Sequence, residues 1–241
     1  MFFERIQIME LINESVIRSF PLESFLKRWP FPWHNFHEFL TEESFKQLHD
    51  EFPPLELFEY HENLARGKNQ RPHNRYYLAY EKSKYSEDKE KVGAIHAEFL
   101  SPTWQKFLHE IETNAPYQNL MKQILGEQRY QIRYAWHMGI STNEVSPHCD
   151  NASKVATHIF YFNTSEDWDL AWGGALLVLG DKLTPNQNPD FQDFMTSTPI
   201  NFLDNYSFLF KNTPNAWHGV KALKSPPGKY RRLFNVIYDL E

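Results

Sequence analysis

Apolar positions change rhythm about halfway along the chain. Up to about residue 128 they recur at helical spacing in three places. Thr41 is suited to cap a helix whose first turn carries Glu42 and Glu43. Phe45, Leu48 and Phe52 then share one face, and Pro53-Pro54 ends it. Ser101-Pro102 opens a second helix, with Trp104, Phe107, Leu108 and Ile111 on its apolar face. A third runs from about Pro116 through Leu120, Met121, Ile124 and Leu125, with Gly126 as its C-cap.

From Arg129 the period shortens to that of strands. Five segments are β-prone: Tyr130–Trp136, Ala156–Phe162, Ala175–Leu179 after a Gly-Gly turn, Tyr206–Phe210 and Arg232–Tyr238. Short strands separated by Gly, Pro, Asn and Asp suggest a sandwich, barrel or jelly roll. Residues 184–190, rich in Pro and Asn, read as a surface loop. The helices are expected to pack outside the sheet. The chain then forms one domain over 1–241, with a mixed, partly helical part over 1–128 and a β core over 129–241. No internal repeat is present.

Composition adds little to this picture except in its aromatics. They make up 16% of the chain, including 20 Phe and 12 Tyr, and suit a β-rich core. A net charge of −6 gives no overall attraction to nucleic acid or anionic lipid. No apolar run approaches the ~18 residues that span a bilayer. The start, Met1 to Ile6, places charges where a signal peptide would be apolar. The single cysteine, Cys149, excludes an internal disulfide and a Cys-rich zinc site. The expected location is the cytoplasm.

The segment with most chemistry is Ser146-Pro147-His148-Cys149-Asp150-Asn151. On an extended chain His148 and Asp150 point to one face and Cys149 to the other. Downstream lies His218, in Asn215-Ala216-Trp217-His218-Gly219-Val220. Two histidines and a carboxylate can bind one face of an octahedron. Three positions stay open, which suits Fe(II) binding a bidentate cosubstrate together with O2. A dicarboxylic cosubstrate such as 2-oxoglutarate also needs a cation for its far carboxylate, and arginine is best. Arg231 opens the last strand and shares a face with Leu233, Asn235 and Ile237, whereas Arg232 has the opposite facing. The plainer reading makes both solvated edge charges. Tyr161 shares a face with Thr157 and Ile159 and could donate to the same carboxylate, or simply pack in the core.

Other residues stay open. Arg133 and His137 either line a substrate mouth or sit solvated at an edge. His158 faces away from Tyr161 and is expected to be packed or paired. Cys149 reads as a small buried hydrophobe near a site of oxidation. Arg66, Lys68, Arg71 and Arg75, with Tyr76 and Tyr77, form a basic patch better read as a solvated loop than as a substrate-recognition loop. The run Glu81 to Lys91 reads as solvated surface.

Taken together and in order, these elements resemble the Fe(II)/2-oxoglutarate dioxygenase superfamily, and within it the prolyl-hydroxylase-like branch. The resemblance covers about Tyr130 to Glu241. His148-Cys149-Asp150-Asn151 resembles the first metal motif. Thr157 to Asn163, followed by Asp167-Trp168-Asp169, resembles the strand with the cosubstrate tyrosine. Trp172-Gly173-Gly174-Ala175-Leu176 resembles the Gly-Gly turn and strand, Phe208 to Val220 the distal histidine motif, and Tyr230-Arg231-Arg232 into Asn235-Val236 the last strand. Arg71 to Tyr80 is similar to a segment of bacterial and phage members. The interval from His218 to Arg231 is longer than in many members because of Lys224-Ser225-Pro226-Pro227-Gly228.

The resemblance implies a double-stranded β-helix (jelly roll), mainly β with flanking α-helices. It implies Fe(II) on His148, Asp150 and His218, and 2-oxoglutarate held by Arg231 in preference to Arg232, with Tyr161 and Asn235. Ascorbate is a candidate reductant. The implied reaction is C–H hydroxylation coupled to decarboxylation of 2-oxoglutarate to succinate and CO2, and Asp150 favours hydroxylation over halogenation. The substrate would be a peptidyl or free amino acid such as proline, taken with O2, without nucleic-acid or membrane partners. Two other readings compete: a jelly-roll zinc or manganese isomerase or hydrolase, and a non-catalytic jelly roll that binds carbohydrate or protein. Metal content separates the last from the others, and succinate formation separates the two enzymes.

Overall fold

Alternation along one strand, β12 (Arg231–Leu240), sets the layers of the molecule. Phe234, Val236 and Tyr238 point into an aromatic layer shared with the helices. Arg231, Leu233, Asn235, Ile237 and Asp239 point the other way, into a cavity. The computed structural model describes residues 10–64, 71–81 and 93–241. Met1–Ile6, Arg66, Lys68 and residues 82–91 of the charged run lie outside the described residues.

The main sheet is built from β1 (Trp33–His37), β2 (Glu59–Leu64), β3 (His73–Tyr80), β4 (Ala94–Ile95), β5 (Tyr130–Gly139), β7 (Lys154–Tyr161), β10 (Tyr206–Lys211) and β12. Its order is β1-β10-β7-β12-β5-β3-β2, antiparallel throughout, with β4 parallel to β3. The smaller sheet is β6 (Val145–His148), β8 (Leu177–Lys182), β9 (Phe194–Pro199) and β11 (His218–Val220), in the order β6-β11-β8-β9.

Two short helices, α1 (Glu14–Arg18) and α2 (Leu22–Leu26), precede three longer ones. In α3 (Glu42–Asp50), Thr41 caps the start by accepting from the Ser44 amide. In α4 (Pro102–Thr113), Ser101 does the same for Trp104, with Pro102 in the first turn. In α5 (Ala115–Leu125), Asn114 is the cap, one residue earlier than Pro116 suggested, and Gly126 at φ 78° ends the helix. The apolar face of α4 lies on the main sheet. Trp104 is 5.1 Å from Phe234 and 5.2 Å from Trp136 between ring centroids, and Phe107 is 5.2 Å from Phe160. The helices are therefore outside the sheet, as their apolar stripes require.

The N-terminal part also supplies β1 to β4 to this sheet, so the division at residue 129 is one of texture rather than of packing. Tyr77, Leu78 and Ala79 on β3 are all buried, because that strand is covered on both faces. A strand buried on both sides shows no alternation to read. The strand after Gly173 and Gly174 begins at Leu177 rather than Ala175. The two glycines have φ of 79° and 106°, a conformation that glycine adopts at little cost and that strains other residues. No helix among the described residues is long and apolar enough to cross a membrane.

Candidate metal centre

The two histidines of the site meet by strand pairing. His148 ends β6 and His218 begins β11, and they are register partners with ring centroids 4.4 Å apart. Each Nδ1–H donates to the carbonyl two residues back on its own chain, His148 to Ser146 and His218 to Ala216, both at 2.9 Å. That bond fixes the ring and the tautomer, so each Nε2 lone pair is left for a metal. Asp150 lies just beyond β6, with Oδ1 4.0 Å from His148 Nε2. The candidate ligand atoms of His148, Asp150 and His218 all lie within 4.8 Å of one another.

Electrostatics favour the ligating forms. Burial, helped by neighbouring His218, pulls His148 down to about 3, and burial lowers His218 too, so both imidazoles are neutral near pH 7. Burial opposes ionisation of Asp150. The Lys154 ammonium 2.7 Å from its Oδ1, with the two imidazoles, outweighs that and holds the carboxyl below the usual carboxylate range. Two neutral imidazoles and a carboxylate are the donor set of a facial triad, so these residues fit Fe(II).

The triad opens on a cavity of about 930 Å³ between the two sheets. The main sheet supplies its opposite wall in cross-strand rows. Leu233 lies between Tyr161 and His137, Asn235 between Ile159 and Ala135, and Ile237 between Thr157 and Arg133. Arg231 is buried, and its Nε donates to the Gly174 carbonyl at 2.6 Å. A Cβ on Gly174 would lie 3.2 Å from the Arg231 side chain, so the glycine makes room for the guanidinium. Burial lowers the pKa of Arg231, but arginine remains charged, and no carboxylate among the described residues ion-pairs with it. Its guanidinium carbon is 5.2 Å from the Tyr161 ring centroid. The Tyr161 hydroxyl is buried and makes no hydrogen bond of ordinary geometry among the described residues; burial, opposed by neighbouring Arg231, pushes its pKa up to about 12. A buried cation beside an unsatisfied phenol fits the distal carboxylate of 2-oxoglutarate.

Arg232 has the other facing. It ion-pairs with Asp167 and donates to His49 Nε2 at 2.8 Å. Asn235 also lines the cavity. Its amide nitrogen is 3.1 Å from His137 Nε2, and its buried Oδ1 has no hydrogen-bond partner among the described residues.

Several open readings now resolve. His137 and Arg133 are not solvated edge residues: both line the cavity, and Arg133 Nε donates to buried Asp239 at 3.0 Å. Arg75 lies on β3 against the cavity rather than in a solvated loop, whereas Arg71 precedes that strand and makes solvent-exposed ion pairs with Glu144 and Asp190. Cys149 is half-buried rather than buried, and its thiol lies 3.4 Å from the Pro214 carbonyl. His158 is packed and paired, to the Tyr117 and Ser207 hydroxyls. Lys154 and Asn212 were missed. The only sequence signal for Lys154 was its place in the turn after Asp150.

No protein-family model and no curated protein matches the chain. Solved structures do match its fold. A prolyl-4-hydroxylase from Pseudomonas putida superposes with a TM-score of 0.58 at 12% identity, over 95% of this chain and 98% of that one. A 2OG-Fe(II) oxygenase family protein from Burkholderia pseudomallei gives 0.56 at 12% identity, over 96% and 95%. A prolyl hydroxylase from Trichoplax adhaerens, solved with a hypoxia inducible factor peptide fragment, gives 0.50 at 16%, over 94% and 88%. The chain has the fold of the 2-oxoglutarate/Fe(II) oxygenases. That is the jelly roll, mainly β with flanking helices.

Proposed function

We propose that the chain is an Fe(II)- and 2-oxoglutarate-dependent dioxygenase that uses O2 to hydroxylate a C–H bond while 2-oxoglutarate is converted to succinate and CO2, one oxygen atom entering the hydroxylated product and the other the succinate. One observation carries the reading: the His148, Asp150 and His218 cluster faces the cavity that also holds Arg231, buried and without an ion pair among the described residues. A triad alone fits many metals, and a buried arginine alone fits many anions. Their presence in one chamber fits a dicarboxylate that also binds the metal.

His148 and His218 would hold Fe(II) through Nε2, and Asp150 through one carboxylate oxygen. Iron, when bound, supplies the oxidative chemistry that side chains lack. The rest falls to the protein. Arg231 binds the distal carboxylate of 2-oxoglutarate through its planar fork, and Tyr161 donates a further hydrogen bond. Asn235, held against His137, presents a polar atom to the same wall. Ile159, Leu233 and Val220 give the cavity part of its apolar lining. With iron bound, Asp150 would take the place a halide needs, which favours hydroxylation.

The substrate is a peptidyl or free amino acid such as proline. The support is the fold shared with structures named as prolyl hydroxylases and a cavity with room beyond the cosubstrate. Ascorbate is the reductant we assign, and the cytoplasm the location. The test is anaerobic loading with Fe(II), followed by 2-oxoglutarate and air, with succinate measured. Wild-type protein is expected to form succinate and His218→Ala none. Equal succinate from both would overturn the reading.

A further inference from the structure

Lys154 belongs by alternation to the helix-facing side of β7, with Ala156 and His158. The pairing of β12 with β7 corrects this. Tyr238 pairs with Ala156 and Asp239 with Lys154, so Val155 is an extra residue between them. Such a bulge turns the strand by one residue, and Lys154 faces the cavity instead. Its backbone is held there. The Asn212 side chain donates to the carbonyls of Asn151 and Lys154 at 3.0 and 2.8 Å, and the Lys154 amide donates to Asn151 at 2.9 Å. The ammonium lies 2.7 Å from Asp150 Oδ1, with the lysine side chain 25% exposed and the aspartate 11%. That oxygen is also the one 4.0 Å from His148 Nε2.

We propose that Lys154 is a positioning residue that sets the charge of the metal centre, weakening its hold on a divalent cation and strengthening its hold on the anionic cosubstrate. This rests on the function proposed above. Lys154 fixes the Asp150 carboxylate by a charge-assisted bond and draws negative charge from it. A positive charge at that point repels M(II) and attracts the carboxylates of 2-oxoglutarate. The two effects have opposite signs. A residue that merely supports the fold would move both affinities in one direction.

Mn(II) is titrated calorimetrically into wild type, Lys154→Gln and Lys154→Arg, and then 2-oxoglutarate into each Mn(II)-saturated protein, so no turnover intervenes. Lys154→Gln is expected to bind Mn(II) about three- to thirtyfold more tightly and 2-oxoglutarate more weakly by a similar factor, the scale of a partly screened unit charge a few ångströms away. Lys154→Arg should stay near wild type on both. Weakening of both ligands by Lys154→Gln, or no change in either, overturns the proposal. Lys154→Met, which keeps the apolar stem, replaces the glutamine variant if that one does not fold. Wild-type protein that binds no Mn(II) overturns the metal centre itself, and the proposal with it.

Discussion

Adjacent arginines on one strand have opposite work because side chains alternate across a sheet. Arg231 is buried in the cavity, its Nε donates to Gly174, and no carboxylate among the described residues ion-pairs with it, so its charge is available to an anion. Arg232 is spent on Asp167 and His49. Arg231→Ala should therefore weaken 2-oxoglutarate binding while Mn(II) still binds. A lost charge-assisted bond costs about 1.5–3 kcal/mol, or roughly ten- to a hundredfold in affinity. Arg232→Ala should leave that affinity unchanged and lower the melting temperature instead. If calorimetry gives the loss to Arg232→Ala, the assignment of the anchor is wrong. The sequence left this choice to the resemblance, since a strand's first residue can face either way. The triad was plainer. His148 and Asp150 stand two apart on an extended segment, and only the partner strand for His218 had to come from the fold.

Among elements, the legible ones alternate or carry caps. The helix starts at Thr41 and Ser101 follow from cap residues, and β5, β7, β10 and β12 from alternation against an aromatic layer. The strands before residue 129 were not legible, because β3 is covered on both faces. The bulge at Val155 was not legible either, since only the partner strand defines it. The buried polar link between elements gives a prediction of its own. His158 on β7 bonds to Tyr117 on α5 and to Ser207 on β10, at 3.1 and 3.0 Å. Burial, with a smaller contribution from His34, holds its pKa well below 6.5. In the unfolded chain it takes a proton below about 6.5. Folded protein binds fewer protons there, so the stabilisation is full above pH 6.5 and is lost as pH falls toward the folded pKa. One such group contributes a slope of about 1.4 kcal/mol per pH unit. His158→Gln, followed by urea unfolding between pH 7 and 5, should lose stability at pH 7 yet show a shallower acid slope by about that amount. An unchanged slope would mean that His158 is protonated in the fold.

At the scale of the whole molecule, the site spans the two sheets. His148 and His218 belong to the smaller sheet, and Arg231, Tyr161 and Asn235 to the larger. A cosubstrate that touches both the metal and Arg231 therefore ties one sheet to the other across the cavity. Ligands that bind only the folded state stabilise it by mass action, about 2.7 kcal/mol at a hundredfold excess over Kd. In a domain of this size each kcal/mol raises the melting temperature by about 2–4 °C. Saturating Mn(II) should then raise it by about 5–10 °C, and 2-oxoglutarate should add a similar step only when Mn(II) is present. Order matters, because without the metal the cosubstrate keeps a single anchor. Arg231→Ala should retain the metal step and lose most of the cosubstrate step, and His218→Ala should lose both. Thermal scans of the three proteins with each ligand alone and together make the comparison. A full 2-oxoglutarate step in His218→Ala protein would mean that the cosubstrate binds elsewhere, and the bridge between the sheets would have to be abandoned.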